Sequence, residues 1–91
     1  MIQRSVTIEN ELGLHARAAA KLVRIASKFR SDIKLTRYDE DYKIDGKSIL
    51  GILLLAAAKG TKLLFTFNGP DEQLAADEVE LLIKGKFGEE K

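Results

Sequence analysis

Gly13-Leu14-His15-Ala16-Arg17 marks the point at which the periodicity of this chain changes. Before it, Ile2, Arg4, Val6 and Ile8 alternate with Gln3, Ser5 and Thr7, the period of two expected of a half-buried strand. After it, residues 16–29 place Ala19, Leu22, Val23, Ala26 and Phe29 on one face at helical spacing. The opening unit is therefore a strand, a polar loop over residues 9–13 and an amphipathic helix.

The same grammar continues outward from that unit. Ile33, Leu35 and Arg37 alternate in a second strand, Tyr38 and the residues up to Asp41 make a turn, and Tyr42 and Ile44 mark a short third strand that closes a hairpin. After Asp45-Gly46-Lys47-Ser48, residues 49–59 read as a second helix ending at Gly60. Leu63, Phe65 and Phe67 share one face of a fourth strand. Pro70 suits the first position of a third helix, and Asp71 and Glu72 suit its dipole. Leu74, Ala75, Val79, Leu82 and Ile83 form that helix's apolar stripe, and Gly85 ends it. The order β-α-β-β-α-β-α predicts a two-layer α+β domain, its sheet largely antiparallel with the helices on one side. Pattern alone leaves the strand order open, a ferredoxin-like sandwich included. We expect a single domain over residues 1–85 and a flexible C-terminal tail over residues 86–91.

Composition narrows the chemistry. The 91 residues suit one domain. The absence of cysteine excludes disulfides, thiol catalysis and cysteine-bound metal, and a single histidine argues against a structural zinc site. Neither a metal nor a cofactor is expected. Fifteen basic and 14 acidic side chains leave a net charge of +1, too balanced for general affinity for nucleic acid. The longest apolar-rich run, residues 49–58, contains Gly51 and is about half of what a membrane span needs, so no membrane insertion is expected. The chain opens on strand-like Met1-Ile2-Gln3-Arg4-Ser5 rather than on a basic and then apolar leader, and a cytoplasmic protein is the expectation.

The lone histidine carries the chemical reading. A histidine without context is more often a surface or satisfied core residue than a reactive one. His15, however, sits where a loop becomes a helix, beside N–H groups that a helix start leaves unpaired and a positive dipole end. The backbone of Ala16, Arg17 and Ala18 would form an anion seat, with the Arg17 side chain close enough to assist. Imidazole is a nucleophile near neutral pH when unprotonated, so such a site suits the uptake and release of a phosphoryl group. The small Ala16, Ala18, Ala19 and Ala20 would let a partner approach the backbone. From His15 runs a basic stripe, Arg17, Lys21, Arg24 and Lys28, which reads either as a solvated face or as a docking stripe for acidic partners; the latter is favoured by its origin at the histidine.

Ser48 precedes an apolar helical run, and an N-cap is sufficient reason for it. The helix behind it is apolar almost all round. Ile49, Ile52, Leu53 and Ala56 suffice to face a core, while Leu50, Leu54 and Leu55 extend the apolar surface. A partly exposed patch near Ser48, with Leu50 and Leu54 as its leading members, follows.

Two segments together resemble one family. Gly13-Leu14-His15-Ala16-Arg17 continuing to Ala26-Ser27-Lys28-Phe29, and Lys47-Ser48-Ile49-Leu50-Gly51, at this spacing in a domain of this length and element order, resemble HPr, the histidine-containing phosphocarrier of the bacterial phosphoenolpyruvate-dependent sugar phosphotransferase system. The resemblance implies an open-faced β-sandwich, a four-stranded antiparallel sheet covered on one face by three helices. It implies that His15 takes a phosphoryl group at Nδ1 from enzyme I and passes it to enzyme IIA domains, with Arg17 stabilising the phosphate, as a carrier without turnover of its own. It implies that Ser48 is the regulatory serine that HPr kinase/phosphorylase modifies in some bacteria. With the basic stripe and the apolar patch, we expect Lys21, Arg24, Lys28, Ile49, Leu50, Leu53 and Leu54 to form the docking face of a monomer that makes transient complexes. The family's usual proline after the arginine is Ala18 here, which keeps an N–H available at the helix start.

Other functions compete. A carrier of the nitrogen-related branch would use the same chemistry with different partners. A regulatory docking module for transcription factors and enzymes would have no need of His15. An RNA-binding domain would need aromatic residues on an exposed sheet face, whereas Phe65 and Phe67 read as core.

Overall fold

Leu63, Phe65 and Phe67 organise the sheet in the computed structural model, which describes residues 1–89. Their strand, β4 (Lys62–Asn68), lies between β1 (Ile2–Thr7) and β2 (Asp32–Arg37), and β3 (Ile44–Asp45) completes the order β1-β4-β2-β3 with every pairing antiparallel. In register, Ile2 and Ile33 flank Phe67, Arg4 and Leu35 flank Phe65, and Val6 flanks Leu63. The two phenylalanine rings stack at 6.0 Å and are fully buried, so they offer no stacking surface to a nucleic acid. Three helices cover this face: α1 (Ala16–Ala26), α2 (Ile49–Leu55) and α3 (Glu72–Lys84). They bury Ala18, Ala19, Leu22, Ile52, Ala75, Ala76, Val79 and Ile83 against it. The open-faced sandwich is thus the observed architecture, and it settles the strand order that the alternation left open. Among the described residues, no helix is long and apolar enough to cross a membrane.

Arg4 shows how a charged residue sits on an inward-leaning strand position. Its guanidinium reaches the rim of the sheet and pairs with Glu80 at 2.5 Å and Asp77 at 3.2 Å on α3. Lys84 also holds Glu80, and the two cations keep that carboxyl below the usual carboxylate range.

Four expectations change. The first helix ends at Ala26 rather than at Phe29, and Phe29 enters the core from the following turn. The third strand shrinks to Ile44–Asp45, leaving Tyr42 exposed in the loop. The second helix stops at Leu55 instead of Lys59, because Ala56 adopts a left-handed conformation (φ 52°, ψ 44°). Arg37 donates to the carbonyls of Leu55 and Ala56 at 2.9 and 3.1 Å, and the Ala57 carbonyl accepts from Leu14 N–H at 2.8 Å. Those tertiary bonds satisfy the last turn, which apolar spacing alone could not foresee.

The third helix begins at Glu72, two residues later than Pro70 suggested. Asp71 does not cap its own helix. Its carboxylate accepts from Ser31 Oγ at 2.5 Å, Arg30 N–H at 2.9 Å and Ser31 N–H at 3.0 Å, tying α3's start to the loop before β2. The Ser31 hydroxyl foremost, then the Arg30 amide, hold the Asp71 carboxyl below its ordinary value.

Candidate functional site

The loop ahead of α1 is shaped by Gly13. This residue has φ +67°, and a Cβ there would lie 2.5 Å from the Ala57 carbonyl oxygen and 2.9 Å from Ala58 Cα. Only glycine fits a left-handed turn pressed so closely on neighbouring backbone. Asn10 fixes the same turn: its carbonyl accepts from Gly13 N–H at 3.1 Å, and its Nδ2 donates to the Gly13 carbonyl at 2.9 Å. The turn delivers His15 as the N-cap residue of α1, in extended conformation, with its own carbonyl accepting from Ala19 N–H at 2.8 Å.

His15 makes no side-chain cap bond. The N–H groups of Ala16, Arg17 and Ala18 consequently have no acceptor among the described residues; Ala16 and Arg17 stand exposed at the helix end, whereas Ala18 is buried. Arg17 is exposed and makes no hydrogen bond or ion pair among those residues. An imidazole, N–H donors and a guanidinium, the last two without partners among the described residues, therefore meet at one helix start. Of the four small alanines, only Ala16 is exposed, since Ala18 and Ala19 are fully buried and Ala20 is half-buried. Their size serves the packing of α1 on the sheet rather than open access to its backbone.

The site also holds a carboxylate that the sequence reading did not include. His15 Nε2 lies 2.5 Å from Glu89 Oε2, and Asn10 Nδ2 donates to Glu89 Oε1 at 3.0 Å. The bond from His15 first, then that from Asn10, hold the Glu89 carboxyl below the usual carboxylate range, and the charge of Arg17 adds to them. Asn10 is itself fully buried, and both its amide hydrogens go to acceptors, which fixes its orientation and leaves Oδ1 without a partner.

Within the stretch read as a tail, Lys86–Gly88 form a short 3₁₀ turn with Phe87 buried; Glu90 and Lys91 lie outside the described residues. Lys86 and Phe87 take φ values of 56° and 57°, and Gly88 takes 78°, so the chain reverses after α3. Two left-handed residues other than glycine cost about 1–2 kcal/mol each. Burial of the Phe87 side chain, which is 1% exposed, returns about 1.5–3 kcal/mol. A hydrogen bond from Lys21 Nζ to the Phe87 carbonyl, at 2.6 Å, adds about 1 kcal/mol. The reversal is thus held by these two contacts together. The available signal was Phe87 itself: an aromatic residue between Gly85 and Gly88 is an anchor with turns on either side, not a fraying end.

Ser48 is the N-cap of α2, and its Oγ accepts from Gly51 N–H at 3.2 Å. A Cβ at Gly51 would meet a methyl of Ile44 at 2.8 Å and force it to shift. Beside Ser48 lies a groove of about 370 Å³ between the β2–β3 loop and α2, lined among others by Arg37, Tyr42, Asp45 and Leu54. Along α2 the exposed apolar side chains are Leu54 (75%), Leu50 (66%), Ile49 (43%) and Leu53 (37%). Arg24 on α1 and Lys28 in the turn after it are exposed, so the expected stripe outruns the helix, while the ammonium of Lys21 is engaged with Phe87.

A family model described as "PTS HPr component phosphorylation site" matches residues 2–85. The chain belongs to the HPr family. It is 47% identical over 89 residues to the phosphocarrier protein HPr of Cupriavidus necator, covering 98% of each chain. Among solved structures, HPr-C-His from Thermoanaerobacter tengcongensis superposes with a TM-score of 0.93 at 40% identity over the whole of both chains. An HPr dimer from the same organism matches with a TM-score of 0.76 at 39% identity, covering 98% of this chain and 100% of that one. The general role of the family, phosphocarrier of the phosphotransferase system, is therefore the role of this chain.

Proposed function

We propose that His15 accepts a phosphoryl group at Nδ1 from phospho-enzyme I and passes it to enzyme IIA domains of sugar transport systems in the cytoplasm. The observation that carries this is the start of α1, where the ring stands beside three N–H groups without acceptors, and an exposed Arg17 without a partner, among the described residues. In the transfer, the donor's bond to phosphorus breaks as the lone pair of Nδ1 forms a new one. The charge on the phosphoryl oxygens falls on the N–H groups of Ala16, Arg17 and Ala18 and on the Arg17 guanidinium. The protein carries the group and has no turnover of its own.

Docking is assigned to the exposed Arg24 and Lys28 together with Ile49, Leu50, Leu53 and Leu54. Lys21 joins this face through its stem, its ammonium being engaged by Phe87. A monomer in transient one-to-one complexes is sufficient for this chemistry. Ser48, half-exposed at the head of that apolar patch, is assigned as a regulatory phosphorylation site for HPr kinase/phosphorylase. A phosphate there would set two negative charges against partners that dock on the leucines.

Incubation with enzyme I and phosphoenolpyruvate, followed by intact mass, tests the main reading. An acid-labile phosphoryl adduct is expected, and His15→Ala should abolish it. No adduct, or equal labelling of the variant, would refute the carrier role of His15. For Ser48 the corresponding expectation is an acid-stable adduct with HPr kinase and ATP that Ser48→Ala removes.

A further inference from the structure

The imidazole of His15 has two nitrogens in different surroundings. Nε2 meets the Glu89 carboxylate at 2.5 Å, while Nδ1 makes no hydrogen bond among the described residues. The contact is three-quarters or more shielded, the side chains of His15 and Glu89 being 25% and 11% exposed. The carboxylate is oriented from behind, since Asn10 Nδ2 takes Oε1 and leaves Oε2 to the ring. An ionised carboxylate accepts hydrogen bonds and donates none.

We propose that Glu89, held by Asn10, is a positioning residue whose carboxylate accepts the Nε2–H of His15 and so fixes the neutral ring as the tautomer with its free lone pair at Nδ1. This deepens the carrier reading and rests on it. The step balances without loss of a proton from His15: the Nδ1 lone pair forms the bond to phosphorus, the donor's bond to phosphorus breaks with its electron pair, and Nε2 keeps its hydrogen. The ring then bears a positive charge, which Glu89 neutralises at the moment it develops. In the onward step the same protonated ring is the leaving group, and Glu89 again holds its Nε2–H. The arrangement has the logic of a carboxylate orienting a catalytic imidazole through its second nitrogen. Here the nucleophile is the ring itself.

Glu89→Gln is the decisive variant. Asn10 can only donate at that point, so the glutamine oxygen stays on Asn10 and its NH2 turns to Nε2. Nε2 must then accept, and the hydrogen moves to Nδ1. Ring-nitrogen NMR of the neutral histidine is expected to show Nε2–H in the wild-type protein and mainly Nδ1–H in Glu89→Gln. Phosphoryl uptake from phosphoenolpyruvate through enzyme I should slow about tenfold or more in Glu89→Gln, short of the roughly 10⁴-fold loss known when a buried triad loses its tautomer, because this ring is partly exposed. The apparent KM for enzyme I should not change. Glu89→Ala, which imposes no tautomer, should be slowed less, and Glu89→Asp should recover part of the rate. Amide spectra report whether Phe87 stays packed in each variant. A wild-type ring found as Nδ1–H, a Glu89→Gln ring with the wild-type tautomer, or a changed tautomer with an unchanged rate each overturns the proposal. If the wild-type protein takes no phosphoryl group at His15, the carrier reading fails instead, and the NMR comparison alone decides whether Glu89 sets the tautomer.

Discussion

The starts of α1 and α2 are built from the same backbone and finished in opposite ways. At α2, Ser48 folds its hydroxyl back onto Gly51 N–H, satisfying a donor that the helix cannot. At α1, His15 occupies the same N-cap position and gives its side chain to Glu89 instead, so the donors of Ala16, Arg17 and Ala18 have no acceptor among the described residues. A cap is worth about 1 kcal/mol, and α1 forgoes it. What that helix keeps is a place where anionic charge is stabilised without any rearrangement. On the proposed reading the first helix start serves an incoming group and the second serves stability, and the two meet through the contact between Gly13 and the residues after α2.

Breaking that contact should have the largest effect. Gly13→Ala forces a Cβ to within 2.5 Å of the Ala57 carbonyl and keeps a left-handed φ of +67°. Overpacking of this kind costs about 1–3 kcal/mol, and the conformation adds about 1–2 kcal/mol. Denaturant unfolding should therefore show a loss of about 2–5 kcal/mol on those same figures, together with slower uptake at His15 because the turn that delivers it has moved. A variant as stable as the parent would show that the close approach is not what holds the turn.

Arg17→Ala sharpens the comparison from the open side. Its side chain is exposed and without partners among the described residues, so stability should shift by no more than about 0.5 kcal/mol. The rate of phosphoryl uptake should fall about 10²-fold, the size seen when one preorganised charge or donor is removed from a developing oxyanion. Rapid-quench labelling with enzyme I and phosphoenolpyruvate measures it. A large stability change with little change in rate would make Arg17 a structural residue.

What was legible in the sequence was local. The change from period two to helical spacing around Gly13 revealed β1 and α1, and the alternation of Leu63, Phe65 and Phe67 revealed the central strand. His15, Arg17 and Ser48 could be found because each reports its own helix start. Glu89 and Asn10 could not, because their bonds join residues 74 and 79 positions apart, and no spacing rule spans a reversal anchored by one phenylalanine. The early end of α2 was hidden for the same reason. Residues 49–59 carry a helical apolar pattern, but Arg37, from a strand 18 positions away, takes the Leu55 carbonyl, and Leu14 takes that of Ala57. Tertiary hydrogen bonding overrode a local preference worth a few tenths of a kcal/mol per residue.

Ser48→Ala tests the closed side and should have the smallest effect of the three. The hydroxyl accepts one bond, from Gly51 N–H at 3.2 Å, so its loss should cost about 1 kcal/mol of stability. Phosphoryl uptake at His15 should stay close to the wild-type rate, since Ser48 is the cap of a different helix and touches none of the groups at the head of α1. Urea unfolding reads the first expectation, and acid-labile labelling reads the second. Should uptake fall with the cap intact in a Ser48→Asp variant as well, the two helix starts would be coupled through docking on the exposed leucines. The division of labour between them would then hold for the fold but not for the function. Uptake unchanged in Ser48→Ala and reduced in Ser48→Asp would instead assign the effect to charge beside Ile49 and Leu50, because aspartate preserves a cap and adds a carboxylate where alanine removes the cap and adds nothing.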